Sequence, residues 1–204
     1  TPMKKLLLAT AIAALSVSAA QAAPTVYGKA FVTVDYEDIE SNAGDSDSLQ
    51  INSHASRIGF KGSEAMTANT DVIYQLEYGI NIDGADSDGD RTFASRDTFL
   101  GLNNKNFGEF RFGRNQSSLD RINNVVTANG GYWDNLGSDD NMVDSGRIDN
   151  SMIWTAPKYQ GLPLQVSAMY AADENDNGSD GFGVAAMFDQ GTGFTAGVAY
   201  DKDL

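Results

Sequence analysis

The sequence predicts an all-β protein, an antiparallel barrel that crosses a membrane with strands. Three observations carry this. Thr70 to Asn81, TDVIYQLEYGIN, places Val72, Tyr74, Leu76, Tyr78 and Ile80 on one parity. Asp71, Gln75, Glu77, Gly79 and Asn81 take the other, with Ile73 the one apolar residue out of place. Side chains on a strand point alternately to opposite faces, so this segment has an apolar and a polar side; a helix would scatter the same residues. The second observation is the rhythm of the connections between such segments, which run 11, 8, 10, 4, 32, 5, 8 and 4 residues. Long loops at one end and short turns at the other suit a membrane barrel. The third is the aromatic residues at strand ends, Tyr27, Tyr36, Phe60, Tyr78, Phe107, Tyr170, Phe188 and Tyr200, where an interfacial girdle belongs.

Composition narrows the classes. The 204 residues carry a net charge of −14, which makes a poor nucleic-acid binder. With no cysteine there is no disulfide framework and no cysteine-ligated metal. Beyond the first segment no apolar run approaches the ~20 residues a membrane helix needs, so any span must be a strand.

Met3 reads as the initiator. Lys4 and Lys5 form a positive n-region, Leu6 to Val17 an apolar h-region, and Ala20-Gln21-Ala22 a small-x-small cleavage site. Residues 3–22 are therefore expected to be a secretory signal peptide. Its loss removes two lysines and takes the charge from −14 to −16.

Nine strands follow. Thr25 to Tyr36 sets Val26, Gly28, Ala30, Val32, Val34 and Tyr36 against Tyr27, Lys29, Thr33 and Asp35, with Phe31 an exception. Ser48 to Lys61 alternates cleanly only at its end, Arg57-Ile58-Gly59-Phe60-Lys61; His54 and Ser56 break the pattern and predict a bulge or an early exit from lipid. Thr70 to Asn81 is the third strand, Thr92 to Leu102 the fourth and Phe107 to Arg114 the fifth. Asn115 to Gly146 is a long loop, a kind that is usually functional or disordered. Arg147 to Ala156, Leu162 to Ala172, Gly181 to Phe188 and Gly193 to Leu204 complete the set.

The segments TVYGKA (Thr25 to Ala30), SRIGFKGSE (Ser56 to Glu64), YQLEYG (Tyr74 to Gly79), RDTFLGL (Arg96 to Leu102), FGEFRFGRN (Phe107 to Asn115) and RIDNSMIW (Arg147 to Trp154) closely resemble the general trimeric porins of Gram-negative bacteria. The resemblance runs in order through essentially the whole mature chain. It implies a sixteen-stranded barrel in the outer membrane with a periplasmic N-terminus, three barrels associating, and a third outer loop folded into the pore. The implied function is a water-filled channel for passive diffusion of small hydrophilic solutes and ions, screened by size and by a charged constriction. No cofactor is expected and no enzymatic step.

Strand parity sets Lys29, Arg57, Lys61, Glu77 and Arg111 on the lumen side. The resemblance adds Arg96 and Arg147 and matches Lys29, Arg57, Arg96 and Arg147 to the family's basic wall. Asp120 and Asp134 are the candidates for the opposing acidic loop, with Asp139, Asp140 and Asp144 behind them. Asp86-Ser87-Asp88-Gly89-Asp90 begins like a calcium loop but has Arg91 where the turn needs glycine, and Asp97 where a bidentate glutamate belongs. It reads instead as a solvated outer loop, able to hold divalent cations that bridge lipopolysaccharide phosphates. His54, the single histidine, has no evident nucleophile partner on its own strand.

Nine strands fall short of sixteen, and Leu204 is not the terminal aromatic of the family. The expectation is a fragment, whose open sheet has two unpaired edges and does not make the parent pore alone. The competing reading is a secreted, soluble β-rich binding or adhesion domain with its apolar faces packed between two sheets.

Overall fold

A computed structural model describes residues 23–39, 44, 46–84, 93–122, 146–158, 162–173 and 178–204. Among them are eleven strands and one short helix: β1 (Thr25–Lys29), β2 (Val32–Ile39), β3 (Ser46–Ser53), β4 (Arg57–Ala65), β5 (Thr70–Ile80), β6 (Phe93–Asn104), β7 (Gly108–Gln116), α1 (Ser118–Ile122), β8 (Arg147–Thr155), β9 (Leu164–Ala171), β10 (Gly181–Asp189) and β11 (Thr195–Lys202). Nine form one antiparallel sheet in the order β1-β4-β5-β6-β7-β8-β9-β10-β11, and β2 pairs with β3. The sheet is open, with β1 and β11 at its edges.

The first two predicted strands are each broken in two, and the register explains the break. Lys29 faces Arg57, but Val32 faces Ser53, so the second stave carries one more residue than the first across the gap. A bulge at residues 54–56 absorbs it, with Ala55 at φ 47. The backbone N–H of His54 donates to the Phe31 carbonyl at 2.9 Å. The Ser56 hydroxyl also donates to that carbonyl and accepts from the Phe31 N–H, both at 3.0 Å. The residues that spoil the apolar alternation are those that fill the bulge. The pairing also runs beyond the predicted ends, since Ile39 still faces Ser46.

The apolar parity stands exposed. Val26 is 61 % exposed, Val34 68 %, Leu49 71 %, Leu100 60 % and Val198 70 %. Val26 faces Phe60 and Phe60 faces Leu76, so these residues form one continuous outward row across β1, β4 and β5. A two-sheet soluble domain would bury this row; here it belongs to one sheet, and no other described residue covers it. Burying apolar area is worth roughly 25 cal/mol per Å². Side chains left out in such numbers call for hydrocarbon around them.

The other face is called inner, because helix α1 lies on it. Its apolar exceptions pack locally. Ile73 comes within 3.0 Å of the space a side chain would take at Gly101. Phe31 lies 5.4 Å from the His54 ring and under the Lys29 ammonium at 4.7 Å. Phe99 lies under Arg111 at 4.4 Å.

The loop after β7 folds back over β10 and β11. Ser117 caps the helix, accepting from the Asp120 N–H at 3.0 Å, while the Leu119 N–H donates to the Asp201 carboxylate of β11 at 3.0 Å. The approach is close because the wall beneath is glycine: the Ser118 hydroxyl occupies the space a side chain at Gly183 would fill, and Ile122 comes within 3.0 Å of that space at Gly197. Ile153, Met169 and Ala185 on the same face are buried. The base of the loop is tied by the Ser117 N–H donating to the Gly146 carbonyl at 2.8 Å.

The short turns are held by polar bonds. Asn104 accepts from the N–H groups of Asn106 and Phe107 at 2.9 and 3.0 Å, and Asp189 from that of Gly191 at 2.7 Å. Among the described residues no helix is long and apolar enough to cross a membrane.

Candidate functional site

The inner face of β1, β4, β5 and β6 carries a charged wall whose centre is Glu77. Tyr27, Gly59 and Glu77 lie side by side on three neighbouring strands. Gly59 has no side chain, so the Tyr27 ring crosses it, and its hydroxyl donates to Glu77 Oε2 at 2.9 Å. Arg96 Nε donates to Glu77 Oε1 at 2.8 Å, and Arg57 Nε lies 4.0 Å from Oε2. Glu77 itself is only 6 % exposed. A carboxylate this enclosed is tolerable because two arginines and a phenol satisfy it.

Arg96 reaches this position through a second bulge. Leu76 faces Thr98 but Tyr78 faces Ser95, so Arg96 and Asp97 both stand opposite Glu77. Sequence neighbours on a regular strand would point to opposite faces. With the bulge both engage the inner network, Arg96 with Glu77 and Asp97 with Arg147 at 2.8 Å. A third irregularity sets Asp149 and Asn150 opposite Arg114, with Asn150 at φ 49, and Arg114 pairs with Asp149 at 2.7 Å.

The structure therefore brings Arg57, Arg96 and Arg147 into one band spanning β4 to β8. Lys29 flanks it, directly opposite Arg57. Lys61 stands over the Tyr27 ring at 5.2 Å. Asp120 sits on α1, with Oδ2 shielded from solvent. Asp134, Asp139, Asp140 and Asp144, the calcium-like run 86–90 and the expected signal peptide, residues 3–22, lie outside the described residues. Among the described residues no cluster of histidine and carboxylates has metal-binding geometry.

Three contributors escape the sequence reading of the site. Glu77 is visible on the lumen parity, yet nothing marks it as the hub until Gly59 opens Tyr27's path to it. Asp97 needs the bulge. Arg121 lies in the loop expected to supply only acids, and its guanidinium donates to Thr155 Oγ1 at 3.3 Å. His54 does have a hydroxyl neighbour: its Nε2 lies 2.7 Å from Thr33 Oγ1 on the facing strand. That hydroxyl donates to Asp35 at 2.7 Å, which leaves the imidazole as its hydrogen-bond donor and not its base.

Known proteins resemble this chain in sequence and in fold. A sequence model described as Gram-negative porin matches residues 8–203. An outer membrane porin protein of Bordetella pertussis is 28% identical over 192 residues, covering 85% of this chain and 50% of that protein. The major outer membrane protein P.IB of Neisseria meningitidis serogroup B is 32% identical, over 85% of this chain and 51% of its own length. The chain thus spans about half the length of these relatives. Among solved structures, an anion-selective porin from Comamonas acidovorans superposes with TM-score 0.64 at 21% identity, over 88% of this chain and 57% of that one. OmpF of Salmonella typhi gives 0.64 at 22% identity, over 87% and 53%. With its apolar residues turned outward, its charges gathered inward and residues 8–203 matching the family, the chain belongs to the Gram-negative porins, a family of outer-membrane channel proteins.

Proposed function

We propose that residues 23–204 form the N-terminal portion of a barrel whose lumen passes small hydrophilic solutes and ions, with residues 115–146 as the loop that narrows it. The observation that carries this reading is the placing of α1 on the same inner face as the Arg57–Glu77–Arg96 wall. A lumen lined by fixed charge on one side and an inserted loop on the other screens by width and by field. A narrow mouth between low-dielectric walls strengthens that field. Nothing in this function makes or breaks a bond. The whole barrel would work as a homotrimer among outer-membrane lipid and lipopolysaccharide. The open sheet encloses no lumen by itself, so the conducting unit needs further strands to pair β1 and β11.

Selectivity provides the test. In a closed barrel carrying these residues, Arg57→Ala plus Arg96→Ala removes two positive charges and two long side chains from the wall. Single-channel conductance is expected to rise, and the reversal potential in a salt gradient to move towards cation preference. A reversal potential unchanged from the parent would refute the charged-wall reading.

A further inference from the structure

A second basic site lies below the wall, at the short-turn end of the inner face. There a cavity of about 420 Å³ is lined by Lys105, Arg111, Arg121 and Lys158, with Thr155 and one carboxylate, Glu109. Among the described residues, four cations against one anion is an unusual local balance in a chain whose net charge is −14. Glu109 is already engaged with Arg111. Lys105 Nζ donates to the Ala68 carbonyl, a neutral partner, at 2.8 Å. Arg121 donates to the neutral Thr155 hydroxyl. Burial, with Arg111 close by, pulls the Arg121 guanidinium below its ordinary value. Helix α1 is what holds Arg121 here, since the pinning of Leu119 to Asp201 and of Ile122 over Gly197 leaves it facing β8.

We infer that this cavity is an oxyanion-holding site for phosphate, either as the free ion or as the ester group of a solute in transit. Arg111 and Arg121 offer planar forks that suit phosphate oxygens, and the two lysines add point charges at the rim. The volume is in the range of small-molecule sites. The site is separate from the Glu77 wall. It is formed wholly within the 204-residue chain, so its existence does not depend on conduction.

The test is phosphate binding by the full 204-residue chain folded in detergent micelles, read by ³¹P line broadening and by calorimetry. Inorganic phosphate and glycerol 3-phosphate are titrated separately. Binding of either upholds the site, and the tighter of the two identifies the source. Arg121→Gln and Arg111→Gln are each expected to weaken binding about tenfold, the loss of one charge-assisted pair. Lys158→Gln, at the exposed rim, is expected to weaken it less while leaving the fold intact, so a misfolded arginine variant does not decide the matter. Arg57→Gln, in the upper wall, is expected to leave it unchanged. Absence of binding by the parent chain would overturn the inference. So would undiminished binding in correctly folded Arg121→Gln, or in Lys158→Gln should both arginine variants misfold. Loss in Arg57→Gln alone would also overturn it, by placing the anion at the upper wall.

Discussion

Leu76→Arg is expected to destabilise a closed barrel carrying these residues in phospholipid vesicles by about 2–4 kcal/mol, the cost of an arginine facing lipid near the midplane. Leu76 is 41% exposed in the middle of β5, in the outward row with Val26 and Phe60. Gln75→Arg, one residue away, is expected to cost less than about 1 kcal/mol, because an inner-face charge remains hydrated. Denaturant unfolding of the two variants from the same vesicles gives the comparison. The sign of the difference matters more than its size. Equal costs would mean that β5 has no lipid side.

Glu77→Gln comes second in expected effect. The amide still accepts from Tyr27, but it removes the counter-charge from Arg96 at 2.8 Å and Arg57 at 4.0 Å. Removing one partner of an enclosed ion pair strands the other. The expected loss is about 2–4 kcal/mol, somewhat below a fully buried pair because Arg57 and Arg96 retain some solvent. Arg96→Gln in the same background should cost less than it does in the parent, since the two losses share one interaction. A double-mutant cycle measured by unfolding in micelles reports this coupling. Strict additivity would show that Glu77 and Arg96 do not depend on each other.

These two experiments probe what was legible in the sequence to different depths. The outward row was plain, because lipid admits only one kind of side chain and the period-2 pattern survives intact from Val72 to Ile80. The short turns were equally readable, since polar residues recur wherever the alternation stops. Arg57, Arg96 and Arg147 came from the resemblance; parity alone reached only Arg57. Asp97 was hidden because a bulge is a relation between two strands, and one strand's sequence does not state the register of its neighbour. The break at residues 54–56 left a trace because it set two polar residues, His54 and Ser56, on the apolar parity. The bulge at Arg96 and Asp97 left none, because both residues are charged. Arg121 was hidden for a different reason. Loop residues take their direction from what they land on, here the glycines of β10 and β11, far away in sequence.

The direction in which β5 faces decides whether the sheet meets lipid. The chain contains no cysteine, so a single cysteine placed at each position from Thr70 to Ile80 is a unique reporter. Labelled with a fluorophore in vesicles, each can be challenged with a quencher confined to the acyl chains and with one confined to water. Positions 72, 74, 76, 78 and 80 should answer to the lipid quencher, and positions 71, 73, 75 and 79 to the aqueous one. If the even positions answer to neither, they are packed against protein and the barrel reading is contradicted.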